Sequence, residues 1–347
     1  MNVTDQIENK AASGRDNTTE IVTLDIGGTH ARFAIATCSG DGNISLDDPI
    51  TLNTDDHASF QTAWEDYRAR KGKLPPRLAM AIAGSVDDAE DPDTVIRFTN
   101  NPWIIRPSTM PEMLGVDHYI LVNDFEAVAH AVARAPAEDF LHLTGPAEPL
   151  PESGTISVIG PGTGLGVAHL WRDGTGFTHV QATEGGHVDF SPLDTVEDAI
   201  LARLRKRHTR VSAERVVSGP AIVDIYATLA AMEGRAIREQ DDVAIWKAGM
   251  DGPDSLAIAA IDRFCLSLGA VAGDTALAQG ASAVVIAGGL GYRLRDHLPR
   301  SGFAERFRAK GRFASLMAAL PVKLITHPQP GLFGAAAAYF QHTGDQR

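Results

Sequence analysis

The sequence predicts an α/β protein built of two similar halves. Three observations carry that reading: a strand, glycine turn, strand stretch near the start, a second stretch of the same plan in the middle, and apolar strands that run into small-residue helices. With 347 residues, 44% of them apolar, and 33 glycines, the chain supports substantial cores, and two domains are expected.

The first stretch runs from Leu24 through Asp25-Ile26-Gly27-Gly28-Thr29 to Ile35. Residues Ile21 to Ile26 and Ala31 to Thr37 alternate as paired strands do, and the Gly-Gly between them is expected to permit positive φ. Exposed amides in such a turn make a nest for phosphate, and Asp25 at its mouth suits a hydrated Mg²⁺. An ordinary tight hairpin is the plainer alternative. Ile44 to Leu52 then reads as a third strand, Phe60, Ala63, Trp64 and Tyr67 mark a helix, and Leu78 to Ala83 reads as a buried strand. The acidic run Asp87, Asp88, Glu90, Asp91, Asp93 lacks the glycine and distal glutamate of an EF-hand, so a solvated loop is expected. Thr94 to Phe98 reads as a strand that enters the irregular Thr99-Asn100-Asn101-Pro102-Trp103.

Tyr119 to Val122 forms a short strand ending in Asn123-Asp124, and an Ala-rich helix follows to Arg134. The pair therefore lies where a strand ends and a helix begins, the edge at which open α/β sheets bind ligands. Helix capping explains the same pair equally well. Thr155 to Ile159, the turn Gly160-Pro161-Gly162-Thr163-Gly164-Leu165-Gly166 and Val167 to Trp171 repeat the opening plan. Two such hairpins suggest two α/β halves with a polyphosphate between their turns, whereas the P-loop and dinucleotide-fold patterns are not matched.

Further on, Glu184-Gly185-Gly186-His187 places a carboxylate and an imidazole around two glycines, better read as a polar site or structural turn than as zinc ligands. In the helix Val196 to His208 the acids come early and Arg203, Arg205, Lys206 and Arg207 late, as the helix dipole favours. Glu214 has no local partner. Asp254 to Gln279 reads as a long core helix, Gly288-Gly289 as a turn after a buried strand, and Pro330 to Phe340 as a small-residue helix. A net charge of −13, from 31 basic and 44 acidic residues, argues against nucleic acid and anionic membrane as partners. Cys38 and Cys265 alone give no disulfide framework, which fits a reducing cytoplasm. No uninterrupted apolar run is read as long enough to span a membrane, and the polar opening Met1 to Glu20 reads as a loose extension rather than a signal peptide.

Taken in order, Asp25-Ile26-Gly27-Gly28-Thr29, Asn123-Asp124-Phe125, Gly162-Thr163-Gly164-Leu165-Gly166, Glu184-Gly185-Gly186-His187, Ser218-Gly219-Pro220 and Gly288-Gly289 resemble the bacterial glucokinases of the hexokinase and actin superfamily, especially the alphaproteobacterial branch. The resemblance runs from about Ile21 to Tyr339. His30 stands where many members have Asn, and Asn101-Pro102 departs from the usual sequence. The cysteine-rich zinc motif of the related repressor and kinase family is not visible.

The resemblance implies two RNase H-like (actin/hexokinase-type) domains with an interdomain cleft: a flexible extension at 1–18, a small domain of 19–134 plus 325–347, and a large domain of 135–324. It implies ATP-dependent phosphorylation of D-glucose at the 6-hydroxyl, feeding glycolysis, with MgATP, a Mg²⁺ requirement, no zinc, and a homodimer. Asp124 corresponds to the catalytic base, and Asn100, Asn123, Glu184, His187 and Glu214 to sugar contacts. Gly27, Gly28, Thr29, Gly162, Thr163 and Gly164 match phosphate-turn positions, Gly219, Gly288 and Gly289 the adenosine side, and Asp25 a metal contact through water. A kinase for another hexose or acylhexosamine, and a silent sugar-binding regulator, are the alternatives.

Overall fold

In the computed structural model, which describes residues 18–39, 42–84, 86, 91–98, 101–237 and 240–344, the chain divides into a unit of residues 1–127 with 329–347 and a unit of residues 128–328. The first break between these units falls inside the helix Asp124–Arg134. Residues 1–17 of the expected opening extension, Asp87, Asp88, Glu90 and Asn100 lie outside the described residues, while Thr19 and Glu20 belong to the first strand.

The first unit is organised by β1 (Thr19–Ile26) and β2 (His30–Cys38), an antiparallel hairpin. The expected strand from Ile44 to Leu52 is two short ones, β3 (Ile44–Leu46) and β4 (Ile50–Asn53), both paired to β2. Asp47 causes the break: its Oδ1 accepts from Ile35 N at 2.8 Å and its amide donates to Ile35 O, while Lys71 neutralises the carboxylate. Helix α1 (Phe60–Lys71) begins with a capping box in which Ser59 and Thr62 satisfy each other's backbone N–H. Strand β5 (Arg77–Ile82) lies parallel to β1. The expected strand Thr94 to Phe98 shrinks to β6 (Ile96–Arg97), paired with β7 (Ile104–Ile105). After α2 (Met110–Leu114), strand β8 (His118–Asn123) lies parallel to β5 and enters α3 (Asp124–Arg134). The sheet order is β3-β2-β1-β5-β8.

Alternation along β1 decides what covers this sheet. Val22, Leu24 and Ile26 join Phe33, Trp64, Tyr67 and Trp103 in the core on one face, and Phe33 stacks on Tyr67 at 4.8 Å. Each such buried side chain contributes about 1.5 to 3 kcal/mol. On the opposite face Thr23 and Asp25 meet the C-terminal helix Pro330–Gly344, where Thr23 Oγ1 donates to Leu332 O at 2.7 Å. Its Gly and Ala residues, buried from Gly331 to Ala338, let helix and sheet approach closely.

The second unit repeats the plan. Strand β9 (Phe140–Thr144) is followed by the hairpin β10 (Ser153–Pro161) and β11 (Leu165–Asp173), then β12 (Thr178–Thr183). Helices α4 (Thr195–Leu204), α5 (Ile222–Met232), α6 (Asp242–Asp251) and α7 (Ser255–Gln279) come next. Strand β13 (Ala281–Ile286), α8 (Gly288–Arg293), α9 (Phe303–Arg308), α10 (Ala314–Ala318) and β14 (Val322–Ile325) complete it. Strands β13 and β14 continue parallel from β10, giving the order β12-β11-β10-β13-β14-β9. The C-terminal helix of the first unit is thus α11.

By length and composition α7 could cross a membrane, although Asp262, Arg263 and Asp274 interrupt its apolar run. It is instead the core helix of the second unit, with Leu256, Ile261, Phe264 and Leu268 buried against α5, α6 and α9. Asp254 caps it by accepting from Leu256 N and Ala257 N. The helix expected to run to His208 stops at Leu204, and of its basic cluster Arg203 and Arg207 pair with Asp224.

Candidate active site

In the first unit the parallel strands β1, β5 and β8 end level with one another, with Ile26 opposite Ile82 and Ile82 opposite Asn123. The chain that leaves them is tied together by Ala83 N donating to Ile26 O and by Asn123 Nδ2 donating to Gly84 O at 3.1 Å. Two strand spacings, about 10 Å, therefore separate the Gly27–Thr29 turn from the β8–α3 junction along a single sheet edge.

The expectation of positive φ at Gly27 and Gly28 is corrected: neither adopts it. Side chains hold the turn. Asn101 Nδ2 donates to Gly27 O at 3.4 Å, Thr54 Oγ1 donates to Gly28 O at 2.9 Å, and Thr54 N donates to Thr29 O at 3.0 Å. Asn101, buried at 6% exposure, also accepts from Trp103 N. A side chain at Gly27 would meet nothing closer than His30 O at 3.8 Å, so its bareness leaves open space beside the turn. The amides of Gly28 and Thr29 are unused among the described residues. The Thr29 hydroxyl bonds to His30 Nδ1 at 2.8 Å.

Asp25 faces α11 and pairs with Arg32 Nη1 at 3.0 Å. Burial pushes its carboxyl above the ordinary range, and Arg32 only partly offsets this. A single hard carboxylate beside open amides fits Mg²⁺, which takes few carboxylates and keeps waters and phosphate oxygens.

The β8–α3 junction shows the capping that the sequence allowed. Asn123 is the cap: its Oδ1 accepts from Phe125 N at 2.9 Å and Glu126 N at 3.2 Å, while Glu126 Oε2 accepts from Asn123 N. With Oδ1 so committed, Asn123 has only an N–H to offer a ligand. Asp124, the first residue of α3, is half-buried and its Oδ1 accepts from Phe125 N at 2.8 Å.

In the second unit the expected residues gather round the β10–β11 turn. Gly162 N donates to Gly164 O at 2.8 Å, and Gly162 O accepts from Gly219 N at 2.7 Å. Glu214, unexplained locally, reaches back to accept from Leu165 N at 3.0 Å with Oε2. A Cβ on Gly164 would stand 2.5 Å from that oxygen. The Glu184–His187 turn packs on the same residue, since a Cβ on Gly186 would fall 2.1 Å from Leu165 O. Leu165 is therefore the shared support of two sugar-contact candidates. Glu184 and His187 stand 3.6 Å apart and point outward, Glu184 91% exposed. Gly288 does adopt positive φ, +79°, beneath Pro161 O, so a side chain there is excluded twice over.

Sequence reading missed Asn101, Thr54 and Trp246, whose Nε1 donates to Gly219 O at 2.9 Å. The paired amides of Asn100-Asn101 were a signal for Asn101. Trp246 gave none.

The family described as glucokinase matches residues 22–342. The glucokinase of Zymomonas mobilis is 55% identical over 321 residues, covering 92% of this chain and 97% of its own. A Caulobacter vibrioides glucokinase is 39% identical, covering 90% and 93%. Among solved structures, a glucokinase from an Antarctic psychrotroph superposes with a TM-score of 0.80 at 32% identity, covering 93% of this chain and 99% of that one. The fold, the two glycine hairpins and these likenesses agree, and the chain belongs to the glucokinase family.

Proposed function

We propose that this protein transfers the γ-phosphoryl group of ATP to the 6-hydroxyl of D-glucose, with Asp124 accepting the hydroxyl proton as the oxygen attacks in line. The observation that supports this most directly is the placement of Asp124 on the same sheet edge as Asp25 and the open Gly28 and Thr29 amides. Those amides, with Thr163 and Gly164 of the second turn and the Gly27 and Gly162 backbone that shapes them, would hold phosphate oxygens. Gly219, Gly288 and Gly289 would leave room for adenosine. Bound beside Asp25 through water, Mg²⁺ would neutralise charge on the β- and γ-phosphates.

For the sugar, Glu184 and Glu214 are hydroxyl acceptors, Asn123 is a donor, and His187 serves as either. Asn100 is proposed with them from its sequence position. Glu214 has one oxygen tied to Leu165 N, so its reach is fixed before any ligand arrives. Such pre-set geometry is where most acceleration in phosphoryl transfer arises. A solved glucokinase from Streptomyces griseus is in complex with glucose and AMPPNP, with a TM-score of 0.58 and 20% identity, which supports the fold. The same reading takes the protein as a cytoplasmic homodimer, which analytical ultracentrifugation checks.

A coupled ADP-release assay over sugars and donors tests the whole proposal. Turnover is expected with glucose and MgATP. Fructose or N-acetylmannosamine turned over with glucose inert would overturn the substrate, and preference for ADP or polyphosphate would overturn the donor.

A further inference from the structure

At the end of β11 remote from the Gly162–Gly164 turn lies a cavity of about 410 Å³, lined by Arg134, Glu152, Arg172, Gly176, Phe177 and Thr178 among others. Two guanidiniums share it. Arg172 donates from Nη1 to Pro151 O at 3.1 Å and from Nη2 to Ala133 O at 3.0 Å, both neutral acceptors. Among the described residues neither arginine makes an ion pair, whereas Arg203, Arg207, Arg263 and Arg306 of the same unit all do. Glu152 lines the cavity without pairing to either. Burial and then the nearby Arg134 push the Arg172 pKa down, and Glu152 only partly offsets them.

The cavity wall is fixed in advance. Asp173 accepts from Thr175 N at 2.7 Å, Thr175 Oγ1 at 2.6 Å and Phe177 N at 3.2 Å, which locks the loop between β11 and β12. Phe177, 46% exposed, packs edge-on against Trp171 and offers its remaining surface to whatever enters.

We propose that this cavity is a second binding site, for a small organic phosphate monoester, separate from the glycine turns. Two planar guanidiniums match the oxygens of a dianion, while a monocarboxylate would leave one of them unmatched. Phe177 and the size of the cavity favour a phosphate carried on a carbon body over the free ion. Occupancy also reaches the chemistry. Arg134 and Ala133, whose carbonyl Arg172 holds, form the last turn of α3, and Asp124 is its first residue, about 15 Å away along one helix. An anion that draws Arg172 toward itself loosens its hold on that turn.

The test uses the full chain saturated with glucose and a non-hydrolysable ATP analogue, so that phosphate-binding turns are filled. Glycerol 3-phosphate, inorganic phosphate and propionate are titrated calorimetrically. Glycerol 3-phosphate is expected to bind more tightly than inorganic phosphate, and propionate not at all. Arg134→Glu, an exposed position, is expected to weaken glycerol 3-phosphate by about tenfold or more with turnover in its absence unchanged. Phe177→Ser is expected to erase the preference over inorganic phosphate. Unchanged affinity in Arg134→Glu, or no binding in the saturated enzyme, overturns the site, and propionate binding as well as glycerol 3-phosphate overturns the ligand class. Saturating glycerol 3-phosphate is further expected to shift kcat or the glucose KM in the wild type but not in Arg134→Glu. Identical kinetics with and without it overturn the link through α3.

Discussion

The two hairpins are built on one plan and supported in opposite ways. In the first unit the turn is held by neutral groups, Asn101 and Thr54, and a carboxylate, Asp25, stands at the end of β1. In the second, Gly160 occupies the matching place, two ladder positions before the turn glycine, and the carboxylate has moved beneath the turn as Glu214. The first unit thus adds Asp124 to Asp25 at its sheet edge, and the second keeps Gly160 and Gly288 at its own. Two hairpins of similar topology thus differ in their support: neutral side chains hold the first turn, and a carboxylate holds the second.

The sharpest way to break that comparison is Asp124→Asn. If the first half supplies the base, turnover falls by about 10² to 10⁴-fold while glucose affinity and thermal stability stay near wild type. Asn caps a helix as well as Asp does, so a purely capping role predicts near-normal turnover instead. Next in size is Glu214→Ala. It leaves the Leu165 N–H without its partner and is expected to cost about 1 to 3 kcal/mol in denaturant unfolding as well as raising the glucose KM. A rise in KM with unfolding unchanged would show that Glu214 does not support the turn.

Gly164→Ala and Gly27→Ala form a matched pair. The first drives a Cβ to 2.5 Å from Glu214 and is expected to destabilise by roughly 1 kcal/mol or more, the second to leave stability alone and raise the ATP KM. Equal unfolding midpoints for the two would erase the distinction drawn between the turns.

The smallest effect concerns Asp25 and pH. Its folded pKa is raised by burial, so its contribution to stability is fully present below the unfolded value near 4 and is lost as pH rises through the folded one. Asp25→Asn is therefore expected to unfold at a higher temperature than wild type at pH 7, with the gap closing as pH falls. A variant less stable than wild type at every pH contradicts this.

Much of this was legible because it is local. Strand alternation, the glycine turns and the Asn123-Asp124 junction are all written within a few residues of themselves. The break at Asp47 was not, because a carboxylate bridging to the Ile35 amide leaves no periodic trace. Glu214 was singled out by resemblance, yet its partner Leu165 lies 49 positions away and bonds through backbone, which carries no side-chain signature. Positive φ was expected at the wrong glycines for a related reason: a Gly-Gly pair announces freedom without saying whether conformation or space demands it. At Gly288 both do, and at Gly27 neither does. The core helix α7 was legible from its length and its Ala, Leu and Gly content, although a helix buried on most sides by protein has a composition close to that of one buried in lipid.

The placement of α11 has a consequence for biosynthesis. This helix lies against β1, β2 and β5, yet it follows the whole second unit in the chain. A nascent chain translated through Pro328 holds every residue of the second unit, and its first sheet still lacks the cover for one face, with Thr23 deprived of the Leu332 carbonyl. The first half to be synthesised is therefore the last to be finished, and until the final helix leaves the ribosome its bare strands are what a chaperone or a second nascent chain would meet.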